Sequence, residues 1–539
     1  MRSALAVLAC LPSAFARLGE RFSPLDIQQK NALRSLKRDT DPSLLYPTYN
    51  LSVPVDHFPY DCMYEPHSDD SFPLRYWFDA SNYQEGGPVI VLLGGEDDGP
   101  DRLPYLQKGI LAQLSKATNG IGVVLEHRYY GESIPTPDFS VSSLRFLTTQ
   151  QAMADVAYFA QNIQFPGLEQ YDLTSEQTAY ITYGGSYAGA FSAFLRVLYP
   201  ETIWGAISSS GVPEAIVDYW QYNAAIAEYG PPACINTQQT LIQAIDGILI
   251  GQKNTTLVTE LKDIFGLGNL TYDDDFANTV SEEMGLWQAL NWDPAVNYNG
   301  FYQYCDIITN NSVVYPGTNI LHDQAESLIK ASGVQSDDPI VTSMLNLIGY
   351  INETAVSQCT QSQDACFSMR NPALLKLDDA SQSWRLWTYQ YCTQWGFLSS
   401  GSGVPADQRP LLSRLITVEF LSIICEEAFN ITVPPDTDSI NQYGGNRLYY
   451  DRLAFIDGEV DPWRGAGVHG FAEGAPHRIS TTNMPFHLIP GGVHHWDENG
   501  VFPNQTTSSL PPTQVKQIQQ EEARFVVAWV KEFQEFRRK

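Results

Sequence analysis

The pattern of apolar positions between residues 88 and 211 predicts strands alternating with helices. Residues 151–163 carry apolar side chains at helical spacing. Short, nearly continuous apolar runs, typical of parallel strands buried on both faces, lie at residues 88–93, 121–125, 179–183 and 203–208. Such alternation indicates an α/β domain built on a mainly parallel sheet.

The pattern changes between about residue 213 and residue 444. Long amphipathic stretches at 238–250 and 411–424 replace the short apolar runs, and most of the cysteines lie here. We interpret this region as a mainly helical insertion pinned by disulfides. Strand-like apolar runs occur again at 452–456 and 484–489. Residues 514–533 carry apolar side chains at helical spacing. One α/β domain interrupted by one helical domain accounts for the 539 residues.

The N-terminus has the features of a secretory signal peptide. A basic start at Met1-Arg2 precedes an apolar stretch, and Ala14-Phe15-Ala16 is a cleavage pattern. We expect a secreted protein, or alternatively one of a vacuolar or lysosomal lumen. The dibasic pair Lys37-Arg38 is a possible propeptide site. The predicted division is a signal peptide at 1–16, a possible pro-segment at 17–38, the α/β domain at 39–213 and 445–539, and a helical cap at 214–444.

Composition and net charge limit the classes of partner that the protein is expected to bind. The chain has 61 acidic and 32 basic residues, a formal net charge of −29, which disfavours nucleic acid and anionic membranes. With 43% hydrophobic residues it has the composition of a globular protein. Beyond the N-terminus no segment is apolar enough to span a bilayer, so we expect no stable membrane insertion. No metal-ligand spacing occurs, and we predict no cofactor. The oligomeric state, monomer or homodimer, stays open.

Cysteines and glycosylation sequons fit a secreted protein. Cys10 lies in the signal peptide, which leaves seven cysteines, an odd number, so at least one thiol is free or pairs between chains. Seven N-x-S/T sequons predict a glycoprotein, and they begin at Asn50, Asn254, Asn269, Asn310, Asn352, Asn430 and Asn504.

The strongest chemical signal is a serine at a strand-to-helix turn. Gly184-Gly-Ser-Tyr-Ala-Gly189 follows a strand-like run and precedes a helical stretch. This is the context of the nucleophile elbow of α/β-hydrolases, where small neighbours allow a sharp turn that exposes the serine hydroxyl. The usual glycine two residues after the serine is Ala188 here. We predict Ser186 as the nucleophile.

A serine nucleophile needs an imidazole base and an acid that orients it. In this fold they follow the serine in the order acid, then histidine. Asp457 and Asp461 come after the strand-like run at 452–456, and His494-His495 after the run at 484–489. The pattern alone leaves both pairs open.

Other residues complete the predicted site. The amide of Tyr187 supplies one oxyanion-hole donor by the elbow geometry. The second is expected from the turn Gly94-Gly95-Glu96 after the first strand; we take Gly95 as the candidate, and the sequence does not choose among these amides. We place Trp463 and Glu96 beside the substrate, with the alternative that Trp463 is a core residue. Glu126, His127 and Arg128 are expected to form a structural network, and the histidines His57 and His67 to have surface or satisfied roles.

Several motifs together resemble one peptidase family. Gly184–Gly189, Glu126-His-Arg-Tyr-Tyr-Gly131, Val55-Asp-His-Phe58 and Asp461-Pro-Trp463 resemble the lysosomal Pro-Xaa carboxypeptidase and dipeptidyl peptidase II family, which includes secreted fungal proline-specific acid peptidases. The resemblance implies Ser186, Asp461 and His494 as the triad. It further implies an α/β-hydrolase fold with a helical cap, peptide substrates cleaved after proline, and acidic working conditions.

The resemblance leaves the mode of attack open. An exopeptidase, of dipeptidyl-peptidase or carboxypeptidase type, is the expected activity, and a prolyl endopeptidase is the alternative. A carboxylesterase or lipase lacks support, because the HGGG-type loop is absent. A non-catalytic binding protein would not retain all three triad positions.

Overall fold

The structure is a computed structural model that describes residues 45–470 and 478–539. The predicted signal peptide, the pro-segment, Lys37-Arg38 and Cys10 lie outside the described residues.

An eight-stranded sheet forms the centre of the protein, in the order β1-β2-β4-β3-β5-β6-β9-β10. β2 runs antiparallel to β1 and β4, and the remaining neighbours are parallel. β7 and β8 form a separate pair. The strands are β1 Tyr49–Pro54, β2 Ser71–Asp79, β3 Val89–Leu93, β4 Ile121–Leu125, β5 Tyr180–Gly185, β6 Gly205–Ser209, β7 Ile216–Asp218, β8 Gly396–Leu398, β9 Leu453–Gly458 and β10 Phe486–Ile489.

Helices cover both faces of this sheet, which explains the continuous apolar runs. Val89 and Val91 of β3 belong to one hydrophobic core, and Ile90 and Leu92 to the other. The second core also contains residues of the long C-terminal helix, such as Phe525. Successive strand residues point to opposite faces, so both sets must be apolar. The α-helices are α1 Gly99–Arg102, α2 Gly109–Thr118, α3 Val141–Leu144, α4 Thr149–Asn162, α5 Tyr187–Leu198, α6 Gln221–Tyr229, α7 Pro232–Asp246, α8 Thr255–Ile264, α9 Asp273–Thr279, α10 Gly300–Ile308, α11 His322–Ala331, α12 Asp338–Thr354, α13 Gln363–Phe367, α14 Pro372–Leu375, α15 Trp384–Gln390, α16 Val418–Leu421, α17 Ile423–Phe429, α18 Asp438–Asn441 and α19 Thr513–Arg537.

The helical insertion enters the chain between two neighbouring strands of the sheet. β6 pairs directly with β9, although more than 200 residues separate them in sequence. Short 3₁₀ segments, including Glu282–Ala289 and Pro462–Ala466, and the π-helical segments Gly247–Gln252 and Tyr391–Trp395 interrupt the α-helices. The predicted α/β-hydrolase fold with an inserted helical cap is confirmed.

Three disulfides pin the inserted region, as predicted. They join Cys234 to Cys305, Cys359 to Cys366 and Cys392 to Cys425. Cys62, the other cysteine in the described part of the chain, is exposed and unbridged. The amphipathic stretch predicted at 411–424 is not one helix. Irregular chain precedes two short helices there, α16 and α17, which Ser422 separates.

A buried pair of carboxyl groups joins α19 to the loop after β10. Glu522 is fully buried and interacts with Asp497. Asp497 accepts hydrogen bonds from the hydroxyls of Tyr183 and Ser209, each at 2.6 Å. Burial raises the pKa of Asp497 to about 7, and it raises the pKa of Glu522 well above its ordinary value. Mutual repulsion between two carboxylates at this site favours a shared proton.

We expect the free energy of unfolding to fall as the pH rises from acid to neutral. The folded pKa values of Asp497 and Glu522 lie above their unfolded values of about 4, so the folded protein holds protons that the unfolded chain has lost. This contribution is complete below about pH 4 and is lost as the pH rises through the Asp497 pKa of about 7. Glu522→Gln should flatten the dependence, because its amide can hydrogen-bond an ionised Asp497. Urea unfolding across this pH range measures the effect.

The control is Glu535→Gln, which removes an exposed carboxylate from the same helix and should leave the pH dependence unchanged. Parallel stability curves for Glu522→Gln and the wild type would contradict the prediction.

Candidate active site

Ser186 lies at a sharp turn between β5 and α5. Its backbone has φ 60° and ψ −124°, outside the usual regions for a residue with a side chain. The turn is possible because Gly184 has no side chain: a Cβ there would lie 1.9 Å from the Ala188 carbonyl oxygen. The Ser186 amide donates to the Ser209 carbonyl on β6 at 2.9 Å. The nucleophile-elbow conformation expected from the motif is therefore present.

The structure brings Ser186, His494 and Asp461 together in one hydrogen-bonded chain. His494 Nε2 lies 2.8 Å from Ser186 Oγ, and His494 Nδ1 lies 2.8 Å from Asp461 Oδ2. Because Asp461 can accept a hydrogen bond from Nδ1–H, Nε2 is left free of a proton to accept that of the serine. All three side chains are at most 7% exposed.

Asp461 also caps the short helix that follows it. Its Oδ1 accepts a hydrogen bond from the Trp463 amide at 2.9 Å, with Pro462 at the first helical position. This fixes the carboxylate with its other oxygen towards His494. Aspartate followed by proline is itself a helix-start signal, and it could have favoured Asp461 over Asp457 from sequence alone.

The two competing candidates have other partners. Asp457 Oδ2 accepts from His469 Nδ1 at 2.6 Å. His495 donates its backbone amide to Ser210 Oγ and pairs through its ring with Glu498 at 3.1 Å. Burial, and next the neighbouring His494, lower the pKa of His495. Neither side chain occupies the hydrogen-bonded chain at Ser186.

The backbone amides of Tyr187 and Gly95 are the candidates for the predicted oxyanion hole beside Ser186. Tyr187 is the first residue of α5, and a first helical amide has no acceptor within its own helix. Gly95, at φ 63°, lies against Ala188. The neighbouring Gly94 amide instead donates to the Leu125 carbonyl at 2.8 Å. Gly95 therefore stays the candidate of this turn for the second donor, because it approaches α5 closely.

Tryptophans of the inserted region hold the two loops that carry Asp461 and His494. Trp287 Nε1 donates to the Val460 carbonyl at 2.8 Å, one residue before Asp461. Trp292 Nε1 donates to the Trp496 carbonyl at 2.8 Å, two residues after His494. We call Trp287 and Trp292 the indole clamp. The sequence analysis missed it, because neither tryptophan has a motif around it.

Trp463 is packed as a core residue. Its ring stacks on Tyr219 at 5.2 Å and meets Tyr222 and Phe397 edge-on. Its Nε1 donates to Gln288 Oε1 at 2.8 Å, and its exposed fraction is 1%. The ring centre lies 6.5 Å from that of His494. These contacts favour the core interpretation of Trp463 over a wall open to substrate.

Glu96, the other predicted pocket residue, directly follows Gly95. Its Oε1 is buried and has no hydrogen-bond partner among the described residues, although the side chain as a whole is partly exposed. Burial, followed by repulsion from Asp97, raises the pKa of Glu96 to about 8. At acidic pH this carboxyl group is neutral.

Glu126 and Arg128 belong to a polar network, as expected from the sequence. Glu126 accepts two hydrogen bonds from Arg75, at 2.6 and 2.8 Å. Arg128 donates twice to Asp155, at 2.6 and 2.7 Å. These pairs link β2 to the segment that follows β4, and that segment to α4.

The remaining predicted histidines are also satisfied. His57 Nε2 lies 2.8 Å from Asp155, and His67 Nδ1 lies 2.7 Å from Asp56. His127 Nε2 lies 3.0 Å from the Tyr187 hydroxyl, and burial lowers the pKa of His127 to about 4. A neutral His127 therefore helps to hold the Tyr187 ring behind the elbow.

Six of the seven predicted sequon asparagines are exposed, the exception being Asn352. The Nδ2 of Asn352 donates to the Phe265 and Ile348 carbonyls at 3.2 and 2.8 Å, and a glycan on this nitrogen would disrupt those bonds.

No group of three potential metal ligands occurs within the part of the chain that the structure describes. In residues 45–470 and 478–539, no helix combines the length and apolar character needed to cross a bilayer.

The indole clamp generates a prediction about the reactivity of Ser186. Trp287→Phe and Trp292→Phe keep an aromatic ring but remove the N–H that holds a loop carbonyl. We expect labelling of Ser186 by a fluorophosphonate probe to slow about tenfold, because small displacements of a catalytic group are costly. The rate of labelling by the purified variants measures this.

Trp204→Phe is the matched control. It removes an equivalent bond, from Trp204 Nε1 to the Trp529 carbonyl at 2.7 Å, outside the active site. Labelling should keep its wild-type rate in this variant, and equal slowing in all three variants would contradict a specific role for the clamp.

Comparison with known proteins gives related sequences over most of the chain. A probable extracellular serine carboxypeptidase of Arthroderma benhamiae is 52% identical over 498 residues, which cover 92% of this chain and 69% of that protein. The thymus-specific serine protease of Mus musculus is 25% identical over 469 residues, 81% of each chain. A thermostable esterase from Pseudomonas putida ECU1011 overlaps 94% of this chain and 90% of its own, with 10% identity and a TM-score of 0.33, too loosely to bear on function.

The family of this chain is established by its match to a family model. The model for serine carboxypeptidase S28 matches residues 54–510, which span the sheet, the inserted helices and the loops at Ser186, Asp461 and His494. The resemblance stated from the motifs is confirmed. This chain belongs to the serine carboxypeptidase S28 family and is a serine peptidase.

Proposed function

We propose that this protein is a secreted exopeptidase that cleaves peptide bonds after proline, with Ser186, His494 and Asp461 as its catalytic triad. The observation that carries the proposal is the continuous chain of two 2.8 Å contacts from Asp461 through His494 to Ser186. The extracellular relative in Arthroderma benhamiae and the disulfides support secretion.

In the proposed reaction, Ser186 Oγ attacks the carbonyl carbon of the scissile bond while His494 Nε2 accepts the hydroxyl proton. The amides of Tyr187 and Gly95 stabilise the negative charge on the carbonyl oxygen. His494 then donates its proton to the leaving amine. A water molecule, deprotonated by the same imidazole, releases the peptide from Ser186. Asp461 stabilises the transient imidazolium throughout.

The burial of the site supports attack at a chain end. Ser186 is 7% exposed and His494 is 5% exposed. A hydroxyl buried to this extent is easier to reach for a narrow chain end than for a folded or continuous polypeptide. A prolyl endopeptidase remains the alternative activity.

Buried acidic groups support an acidic working pH. The pKa of Asp497 is raised to about 7 and that of Glu96 to about 8, in both cases mainly by burial. Both carboxyls lie within three residues of a proposed catalytic group. Below these pH values they are neutral, so the site avoids the cost of two buried negative charges.

The aspartate assignment has a direct test. We expect Asp461→Asn to lower kcat/KM by about 10⁴-fold, since the amide favours the wrong imidazole tautomer and cannot stabilise the imidazolium. Asp457→Asn should cost less than about tenfold, because Asp457 bonds to His469 and not to His494. Ser186→Ala, with near wild-type thermal stability, sets the background rate.

If Asp457→Asn were the more damaging change, the triad would contain Asp457 instead. Substantial turnover by purified Ser186→Ala would exclude the mechanism altogether.

Proline preference is tested with blocked Pro-, Ala- and Leu-p-nitroanilides. We expect kcat/KM to be about 100-fold higher for proline, within the range that a shaped pocket achieves. Adding Xaa-Pro-p-nitroanilide and blocked Pro-Phe separates the aminopeptidase, endopeptidase and carboxypeptidase modes. Equal turnover of proline and leucine would refute the specificity while leaving the triad intact.

A further inference from the structure

Arg102 is a largely buried cation between two segments of the proposed active site. It is the last residue of α1, and its side chain is 11% exposed. Its Nη2 lies 2.9 Å from Asp97 Oδ2, and its Nη1 lies 3.6 Å from Glu498 Oε1. Asp97 belongs to the turn after β3, and Glu498 to the loop that carries His494. One side chain therefore spans the segments that contain the candidate second oxyanion donor and the proposed base.

Arg102 also donates a hydrogen bond to the backbone of the turn after β3. Its Nε donates to the Gly94 carbonyl at 3.4 Å. This carbonyl and the Gly95 amide are the two ends of one planar peptide group, which is trans, so the N–H points away from the C=O. A donor that holds the carbonyl on one side of the turn therefore sets the direction of the Gly95 N–H on the other side.

Glu498 connects Arg102 to the histidines. Its Oε2 lies 3.1 Å from His495 Nδ1, and the ring centre of His495 lies 4.4 Å from that of His494. Although burial favours a neutral carboxyl group, the Arg102 guanidinium, and next His495, lower the pKa of Glu498. An ionised Glu498 thus lies between Arg102 and the ring that packs against the proposed base.

This arrangement needs the shape of an arginine as well as its charge. The three nitrogens of the guanidinium group have three different partners, which are the Gly94 carbonyl, Glu498 and Asp97. A lysine ammonium group would keep the positive charge among these carboxylates, but it could not present three donors in one fixed plane. The comparison of arginine with lysine therefore separates a positioning role from neutralisation of buried charge.

We propose that Arg102 is a positioning residue that directs the Gly95 amide at the reacting carbonyl oxygen and fixes it relative to His494. The inference rests on the proposed function and deepens it, because it assumes that Gly95 supplies the second oxyanion donor. Donors of an oxyanion hole are effective when they are oriented before the negative charge develops. The bond from Arg102 to the peptide of Gly94 and Gly95 provides this orientation.

The first test is Arg102→Lys, assayed with blocked Pro-p-nitroanilide. We expect kcat to fall about tenfold while KM changes less than about twofold, because an oxyanion donor acts mainly in the transition state. The concentration of active enzyme is set by titration of Ser186 with a fluorophosphonate probe, so that unfolded protein does not count. Thermal melting of the variant is recorded alongside.

A blocked prolyl boronic acid gives a readout that a purely structural role would not move. Ser186 Oγ bonds to the boron while its proton passes to His494, and the product is a tetrahedral anion that resembles the transition state. We expect the inhibition constant of this compound to rise in Arg102→Lys by about the factor by which kcat falls.

Glu498→Gln tests the connection to the histidine loop. It keeps the size of the side chain and removes the charge that faces Arg102, so kcat should fall here as well. The double variant Arg102→Lys/Glu498→Gln should lose less activity than the product of the two single losses, because both changes act through one contact.

Arg196→Lys is the matched control. Arg196 is another buried arginine, and its Nε also donates to a backbone carbonyl, that of Asp451 at 2.9 Å. It lies towards the end of α5, whereas Ser186 immediately precedes the start of that helix. Both kcat and the boronic acid inhibition constant should stay at their wild-type values in this variant.

A wild-type kcat and inhibition constant in Arg102→Lys would overturn the inference. So would a change in KM alone, or an equal loss in Arg196→Lys. Wild-type turnover of blocked Pro-p-nitroanilide reports the proposed function separately. If the wild type cleaves this substrate and Arg102→Lys cleaves it equally well, only the role of Arg102 fails.

Discussion

Ser186 holds a backbone conformation, φ 60° and ψ −124°, that residues with side chains rarely adopt, and the packing around it keeps it there. The turn is possible because Gly184 has no side chain that would collide with Ala188. The hydrogen bond from the Ser186 amide to the Ser209 carbonyl then holds it in place. This conformation sets where the hydroxyl lies, and the loops after β9 and β10 must bring their side chains to that point. The other features of the site hold these two loops so that Asp461 and His494 reach the Ser186 hydroxyl.

The sequence was sufficient for the parts of the site whose signals are local. A strand, a small-residue turn and a helix identify Ser186, and Asp461 and His494 follow strand-like runs in the order the fold requires. The antiparallel strands β1 and β2 were not predicted, because β2 contains Pro73 and does not alternate regularly. Pro73 is tolerated where β2 pairs only with β1.

Features that depend on distant contacts could not be predicted. The indole clamp joins residues 173 and 204 positions apart, and nothing near Trp287 or Trp292 in sequence indicates the carbonyls they bind. Trp463 was ambiguous for the same reason, since its environment comes from Tyr219, Gln288 and Phe397 on other elements. The amphipathic stretch at 411–424 does not form one helix, although its apolar residues have helical spacing. Such spacing indicates that one face is buried, but it does not require a continuous helix.

The sheet and the cap contribute differently to the site: the sheet positions side chains at its strand ends, and the cap holds the loops that follow. The proposed reacting groups follow the ends of strands in a sheet buried on both faces, where close packing resists displacement. The cap supplies the hydrogen bonds that hold the acid and histidine loops, and it supplies Gln390 beside Tyr187. Because Trp287 and Trp292 hold the loops that carry Asp461 and His494, the position of the cap bears on the geometry of the proposed triad. A change in the packing of the inserted helices is therefore expected to alter the reactivity of Ser186 even where no contact with a substrate changes.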